Sequence, residues 1–146
     1  MRTQNHALVL SLLATVVLVA CGGSEPAPAP APAAPAPLAV ASVDLGSAIT
    51  PERRVVEAKT AFAPTDTIYA SVATTGTATS ATLVARWVFE DGQVVNEATQ
   101  TIAPTGPAVH EFHISKDTPW PAGKYRVEVL LNGAPAMSKE FTVGTP

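Results

Sequence analysis

Apolar residues follow two different patterns along this chain. Residues 7–20 form one apolar run, whereas from residue 38 onward apolar positions alternate with polar ones in short stretches broken by Gly, Pro, Asn and Asp. No segment of that second region keeps a helical period for three turns, and a period of two sends successive side chains to opposite faces of a strand. Residues 67–75 put Ile68, Ala70 and Val72 on one face, and 82–90 put Leu83, Ala85, Trp87 and Phe89 on one face. Asp91-Gly92 turns the chain into 93–102, after which 109–115 carry Phe112 and Ile114 together. Residues 124–131 alternate most strictly, with Tyr125, Val127, Val129 and Leu131 inward, and Asn132-Gly133 is a two-residue hairpin signal into 137–143. Residues 39–45 and 54–59 are predicted edge strands. About seven strands in about a hundred residues predict an all-β fold, a single antiparallel β-sandwich over 38–146.

The residues between the two regions cannot join either. From Ser24 to Pro37 the chain is SEPAPAPAPAAPAP, and proline at alternate positions removes amide donors and fixes φ, which blocks helix and sheet alike. Such a disordered tract favours extended polyproline II, and at about 3.1 Å per residue, residues 22–37 span up to roughly 50 Å as a semi-rigid spacer. A ligand for SH3-like or WW-like domains would carry a basic or aromatic specificity residue, which this tract lacks.

Cys21 is the single cysteine, so it has no disulfide partner in the chain, and Gly22, Gly23 and the Pro/Ala tract offer nothing to bury it. It ends a segment with the three parts of an export signal: Arg2 in a short n-region, the apolar run, and small residues before the cut. The run is shorter than the roughly 20 residues a spanning helix needs. Leu18-Val19-Ala20-Cys21 resembles the lipobox of bacterial lipoproteins. The resemblance implies a signal peptide over 1–20, lipidation of Cys21 and a lipidated linker over 21–37. More than one acyl chain holds a protein firmly to a membrane. Gly22, where an Asp commonly marks inner-membrane retention, implies the outer membrane in a cell with two.

The formal charge is −3, or −4 once Arg2 leaves with the signal, and no basic stripe is present, so nucleic acid is not an expected partner. Without disulfides the domain must stand on its core alone. Within that core, Trp87 lies mid-strand, and Trp120-Pro121-Ala122-Gly123-Lys124-Tyr125-Arg126-Val127 is similar to the start of strand F in immunoglobulin-like and fibronectin type III-like domains. The resemblance covers about 38–143. It implies that Tyr125 bonds back to upstream backbone and that Val127 packs against Trp87. With Ala70 or Val72 and Val127 at the cysteine positions, the antibody-type disulfide is missing.

Enzyme signatures are absent. The chain has no Gly-x-Ser-x-Gly elbow, no P-loop and no Gly-x-Gly-x-x-Gly after a strand. His110-Glu111-Phe112-His113 suggests a metal or acid/base pair, but in a strand positions 110 and 113 point to opposite faces, so solvated or edge histidines are expected. No catalytic residue, metal site or cofactor is assigned. Of the aromatic residues, Phe62, Tyr69 and Trp120 have no inward position, and Trp120 between Pro119 and Pro121 is expected to plug the end of the sandwich. Val84, Val88 and Leu130 have the outward parity, among Arg86, Arg126, Glu128 and Glu140, and form a candidate protein-binding face. The expected function is a lipid-anchored envelope protein whose domain binds or scaffolds an envelope protein partner without catalysis. A glycan or small-ligand accessory module is the alternative.

Overall fold

Period-two alternation becomes two sheets facing each other. A computed structural model describes residues 34–144; the apolar run, Cys21 and most of the Pro/Ala tract lie outside the described residues. Among these, eight strands form: β1 (Ala39–Gly46), β2 (Ala61–Phe62), β3 (Ile68–Thr75), β4 (Ala81–Phe89), β5 (Val94–Ile102), β6 (Ala108–Ile114), β7 (Gly123–Leu131) and β8 (Ala134–Val143). One sheet has the order β1-β3-β6 and the other β2-β8-β7-β4-β5. All pairs are antiparallel except the short parallel contact of β2 with β8. With β1, β3 and β6 as strands A, B and E, and β8, β7, β4 and β5 as G, F, C and C′, this is an immunoglobulin-like sandwich.

Each sheet turns its apolar parity inward. Ile68, Ala70 and Val72 meet Leu83, Ala85, Trp87, Val127 and Val129 across the interface, all of them fully buried. Trp87 and Val127 are cross-strand neighbours, and the Tyr125 hydroxyl donates to the Pro121 carbonyl at 2.8 Å. Both are the arrangements that the resemblance to strand F implied. Asn132 (φ 52°) and Gly133 (φ 82°) make the two-residue turn between β7 and β8, with positive φ at both positions as such a hairpin requires.

Residues 54–59 do not form the predicted edge strand. Arg53 takes a positive φ of 63°, and Thr50 and Arg54 close a turn (Thr50 N to Arg54 O, 2.7 Å), so only an isolated bridge, Ile49 to Val55, survives there. The turn closed by Thr50 and Arg54 uses the backbone that a longer ladder would need, and Val56 stays exposed. The strand that reaches β8 is β2, and it buries Phe62, which the alternation had left without an inward position.

Strand registers define two poles. Ala39 pairs with Thr75 and Leu131 with Ala134 at one, while Gly46 pairs with Tyr69 and Gly123 with Val143 at the other. The Pro/Ala tract enters at the first pole. Pro37 bridges to Thr77, whose N–H donates to the Ala36 carbonyl at 3.1 Å. Gly76 (φ 87°) makes this approach possible, because a Cβ there would lie 2.1 Å from the Pro37 oxygen.

Candidate functional site

At the pole opposite the tract the core turns aromatic. Trp87 meets Phe141 edge-on at 5.9 Å, Phe141 stacks on Tyr125 at 5.3 Å with 16° between the planes, and Tyr125 touches both Phe89 (4.8 Å) and Trp120 (6.4 Å). Such offset and edge-to-face pairs add to the area they bury. Trp120 closes the end as expected: its backbone N–H donates to Pro64 O at 2.7 Å and its Nε1 to Asp66 O at 3.2 Å. Gly123 (φ 154°) lets the chain pass over Phe89, where a Cβ would come within 2.7 Å of the ring.

Here the two sheets part at one side. Gln100 on β5 stitches them, donating from Nε2 to the Glu111 carbonyl on β6 at 2.7 Å. Beyond that stitch, toward the aromatic pole, a cleft of about 520 Å³ opens between Val94–Asn96 of β5 and Ser115, Lys116 and Trp120 after β6. This is within the usual size of a ligand site. Phe89 and Tyr125 form its inner wall, and Asp91 and Gln93 its rim. Asp91 Oδ1 already accepts the Gln93 N–H at 2.8 Å, and Asp91 is the single carboxylate among the described residues lining the cleft. Lys116 Nζ stands 5.6 Å over the Trp120 ring. Burial, reinforced by Glu90, raises the Tyr125 phenol above its ordinary value, so it stays protonated and keeps donating to Pro121. The cleft therefore offers apolar walls, one cation and amide and hydroxyl groups, without paired carboxylates for acid/base work.

The cleft was not legible as a site, because its lining comes from two stretches, 89–96 and 115–125, that are separated in sequence and meet only in the fold. A β-bulge is its local cause. The register of β5 shifts opposite Trp87 and Val88, which leaves Val95 as an extra residue, and Val94 and Val95 are 54% and 41% exposed.

The outward face is different from what parity suggested. Val84, Val88 and Leu130 do lie opposite Trp87, but Val88 and Leu130 are only 4% and 8% exposed. Val88 is flanked by Val94 and Arg126 on its neighbouring strands, and Leu130 by Val84 and Pro135. Arg86 binds Glu97 at 2.7 Å and Arg126 binds Glu128 at 2.8 Å over the same surface. This face is flush and charged, with its apolar residues recessed.

His110 and His113 point to opposite faces of β6, as the spacing required. His113 is exposed, with Nδ1 2.6 Å from Glu111 Oε1 and its ring 5.4 Å from Tyr69. His110 is not solvated. It is buried beside Thr74 Oγ1 at 3.3 Å, and burial, with Arg53 adding to it, lowers its pKa. Among the described residues no three His, Cys, Asp or Glu side chains converge.

No family model matches the chain, and no curated protein matches it. Among solved structures it is similar to a β-glucosidase from Listeria innocua in complex with glucose, at 11% identity and a TM-score of 0.51 over 75% of this chain. The chain spans only 16% of that enzyme's length, and the likeness is one of fold. An immunoglobulin-like protein from Pseudomonas aeruginosa matches at 15% identity and a TM-score of 0.48, over 75% of this chain and 98% of that one. An alkylpurine DNA glycosylase from Pseudomonas fluorescens matches at 16% identity and a TM-score of 0.45, over 74% and 30% of the two chains.

Proposed function

We propose that this protein is a lipid-anchored module of the bacterial envelope, held by Cys21, that acts by binding a protein partner and not by catalysis. The observation that carries the reading is the position of the cleft: it lies at the pole opposite the one where the Pro/Ala tract enters. The chain leading to Cys21 joins the domain at Pro37, so its point of entry leaves the cleft uncovered. In a cell with two membranes, Gly22 directs the attachment of Cys21 to the outer one. The cleft supports docking better than the flush face around Val84, Val88 and Leu130, because exposed apolar side chains stand at its mouth. A glycan accessory role has less support, since Trp120 and Tyr125 turn buried rings to the cleft and present no open stacking surface.

The test has two arms. Metabolic labelling with a clickable fatty acid is expected to mark the protein and to be lost in Cys21→Ser; label kept by that variant overturns the anchor. A photo-crosslinking residue at Val95 is expected to capture a discrete protein in intact cells, and the same residue at Thr75, at the opposite pole, to capture none. Equal capture from both positions overturns the site.

A further inference from the structure

We infer that the partner is engaged through an extended segment that adds as a strand to the free edge of β5, setting an apolar side chain next to an acidic residue in the cleft beneath Lys116. This rests on the binding-module reading and names the mode and chemistry of its ligand. β5 pairs only with β4 and ends the five-stranded sheet. Antiparallel ladders use alternate residues. Phe89 N donates to Gln93 O toward β5, while Thr82 O accepts from Asn132 N on the other side. The odd residues of β4 thus face β5, and their partners Asn96, Ala98 and Gln100 face back. Glu97 and Thr99 are left with N–H and C=O groups directed off the sheet.

Edges of this kind are normally blunted by Lys, Pro or an inward charge. β5 has neither Lys nor Pro, and its one carboxylate, Glu97, is held by Arg86. Its bulge, which elsewhere closes an edge, here places Val94 and Val95 at the mouth of the cleft. Strand addition needs main-chain groups for affinity and a pocket for alternate side chains for selectivity, and this edge supplies both. Charge selects the sequence: Lys116 makes no ion pair among the described residues, whereas the Asp91 carboxylate, at the rim, keeps its charge but has Oδ1 engaged by the Gln93 backbone N–H. A second copy fits less well, because antiparallel pairing of β5 with β5 would direct the two tract-bearing poles in opposite directions.

The experiment uses the full chain in detergent micelles and two fluorescein-labelled seven-residue peptides with valine at alternate positions. One carries a central leucine followed by aspartate, the other by lysine. Anisotropy is expected to show the aspartate peptide binding at least about tenfold more tightly, and Lys116→Glu to reverse the preference. Amide exchange is expected to slow at Glu97 and Thr99. Thr99→Pro removes one outward donor at a position where an edge strand tolerates proline, so binding should fall about tenfold or more while the thermal melt is kept. If that variant unfolds, Lys116→Glu and the exchange data decide alone. An unchanged preference in Lys116→Glu, or protection that misses Glu97 and Thr99, overturns the inference. Protection of those amides that rises with protein concentration without peptide identifies a second copy and overturns it equally. Crosslinks from Val95 in cells without this protection leave the binding-module reading standing and remove strand addition.

Discussion

The two poles of the sandwich are built from different materials. At the tract-bearing pole, small and aliphatic residues such as Ala81, Leu131 and Met137 close the core beside Thr74 and the buried His110. At the other, six of the chain's eight aromatic side chains touch in one connected set, from Phe62 through Phe141 and Trp87 to Tyr125, Phe89 and Trp120. Large rings concentrate buried area and fixed geometry where the sheets part, so one end can hold a cleft open without loosening the fold. The slender end needs only to receive the chain. Stability and the binding surface are therefore expected to share the aromatic pole.

Four substitutions test that contrast. Trp87→Ala removes the ring joining the aromatic set to the mid-core and should cost about 3–5 kcal/mol, a large part of a small domain's stability of roughly 5–15 kcal/mol. A urea midpoint close to that of the unaltered protein would show that the aromatic pole does not carry the fold. At the other pole, Gly76→Ala combines a positive φ with a clash against Pro37, and strained backbone of this kind costs about 1–3 kcal/mol. Its clearest signature should be faster proteolysis within the Pro/Ala tract, and a tract as resistant as before would mean that the Gly76 contact does not hold it. Tyr125→Phe deletes the single hydrogen bond to Pro121 while keeping the ring stack, for a loss of about 0.5–1.5 kcal/mol. A loss as large as that of Trp87→Ala would mean that the hydroxyl, and not the stacking, organises the cleft.

The smallest effect is the pH response of His110. Its folded pKa lies below the ordinary value near 6.5, so as pH falls through that value the unfolded chain takes up a proton that the folded one resists. Stability should be full above about pH 6.5 and decline below it until the folded imidazole also titrates. Urea midpoints at neutral and mildly acidic pH are the measurement, and His110→Gln should flatten the difference. An undiminished slope in that variant assigns the response to other groups.

Much of this architecture is legible from alternation alone. The inward sets of β3, β4, β6 and β7 and the Asn132-Gly133 turn follow from period two and from positive φ, both properties of neighbouring residues. What escaped depends on groups distant in sequence. Val88 and Leu130 have outward parity yet are covered, because burial on a sheet face is decided by cross-strand neighbours. His110 has the parity of Phe112, but only the fold shows that Thr74 and the sheet edge enclose it. Phe62 sits in a two-residue strand too short to carry any period. The cleft needs a one-residue bulge, and nothing in Val94-Val95-Asn96 distinguishes such a bulge from a continuous strand.

The clamp of Ala36 and Pro37 against Gly76 and Thr77 also determines how the domain bears mechanical load. If the chain is anchored at Cys21 and binds a partner at the far pole, as proposed, tension drawn through the tract would enter at the first residue of β1 and run along that strand. Hydrogen bonds of the β1–β3 ladder lie across the strand axis, and seven residues of β1 are paired in it. They are consequently loaded together in shear instead of being peeled open one after another. How long such a tether would survive a pull is then set by the rate at which that whole ladder gives way, a kinetic quantity rather than an equilibrium one.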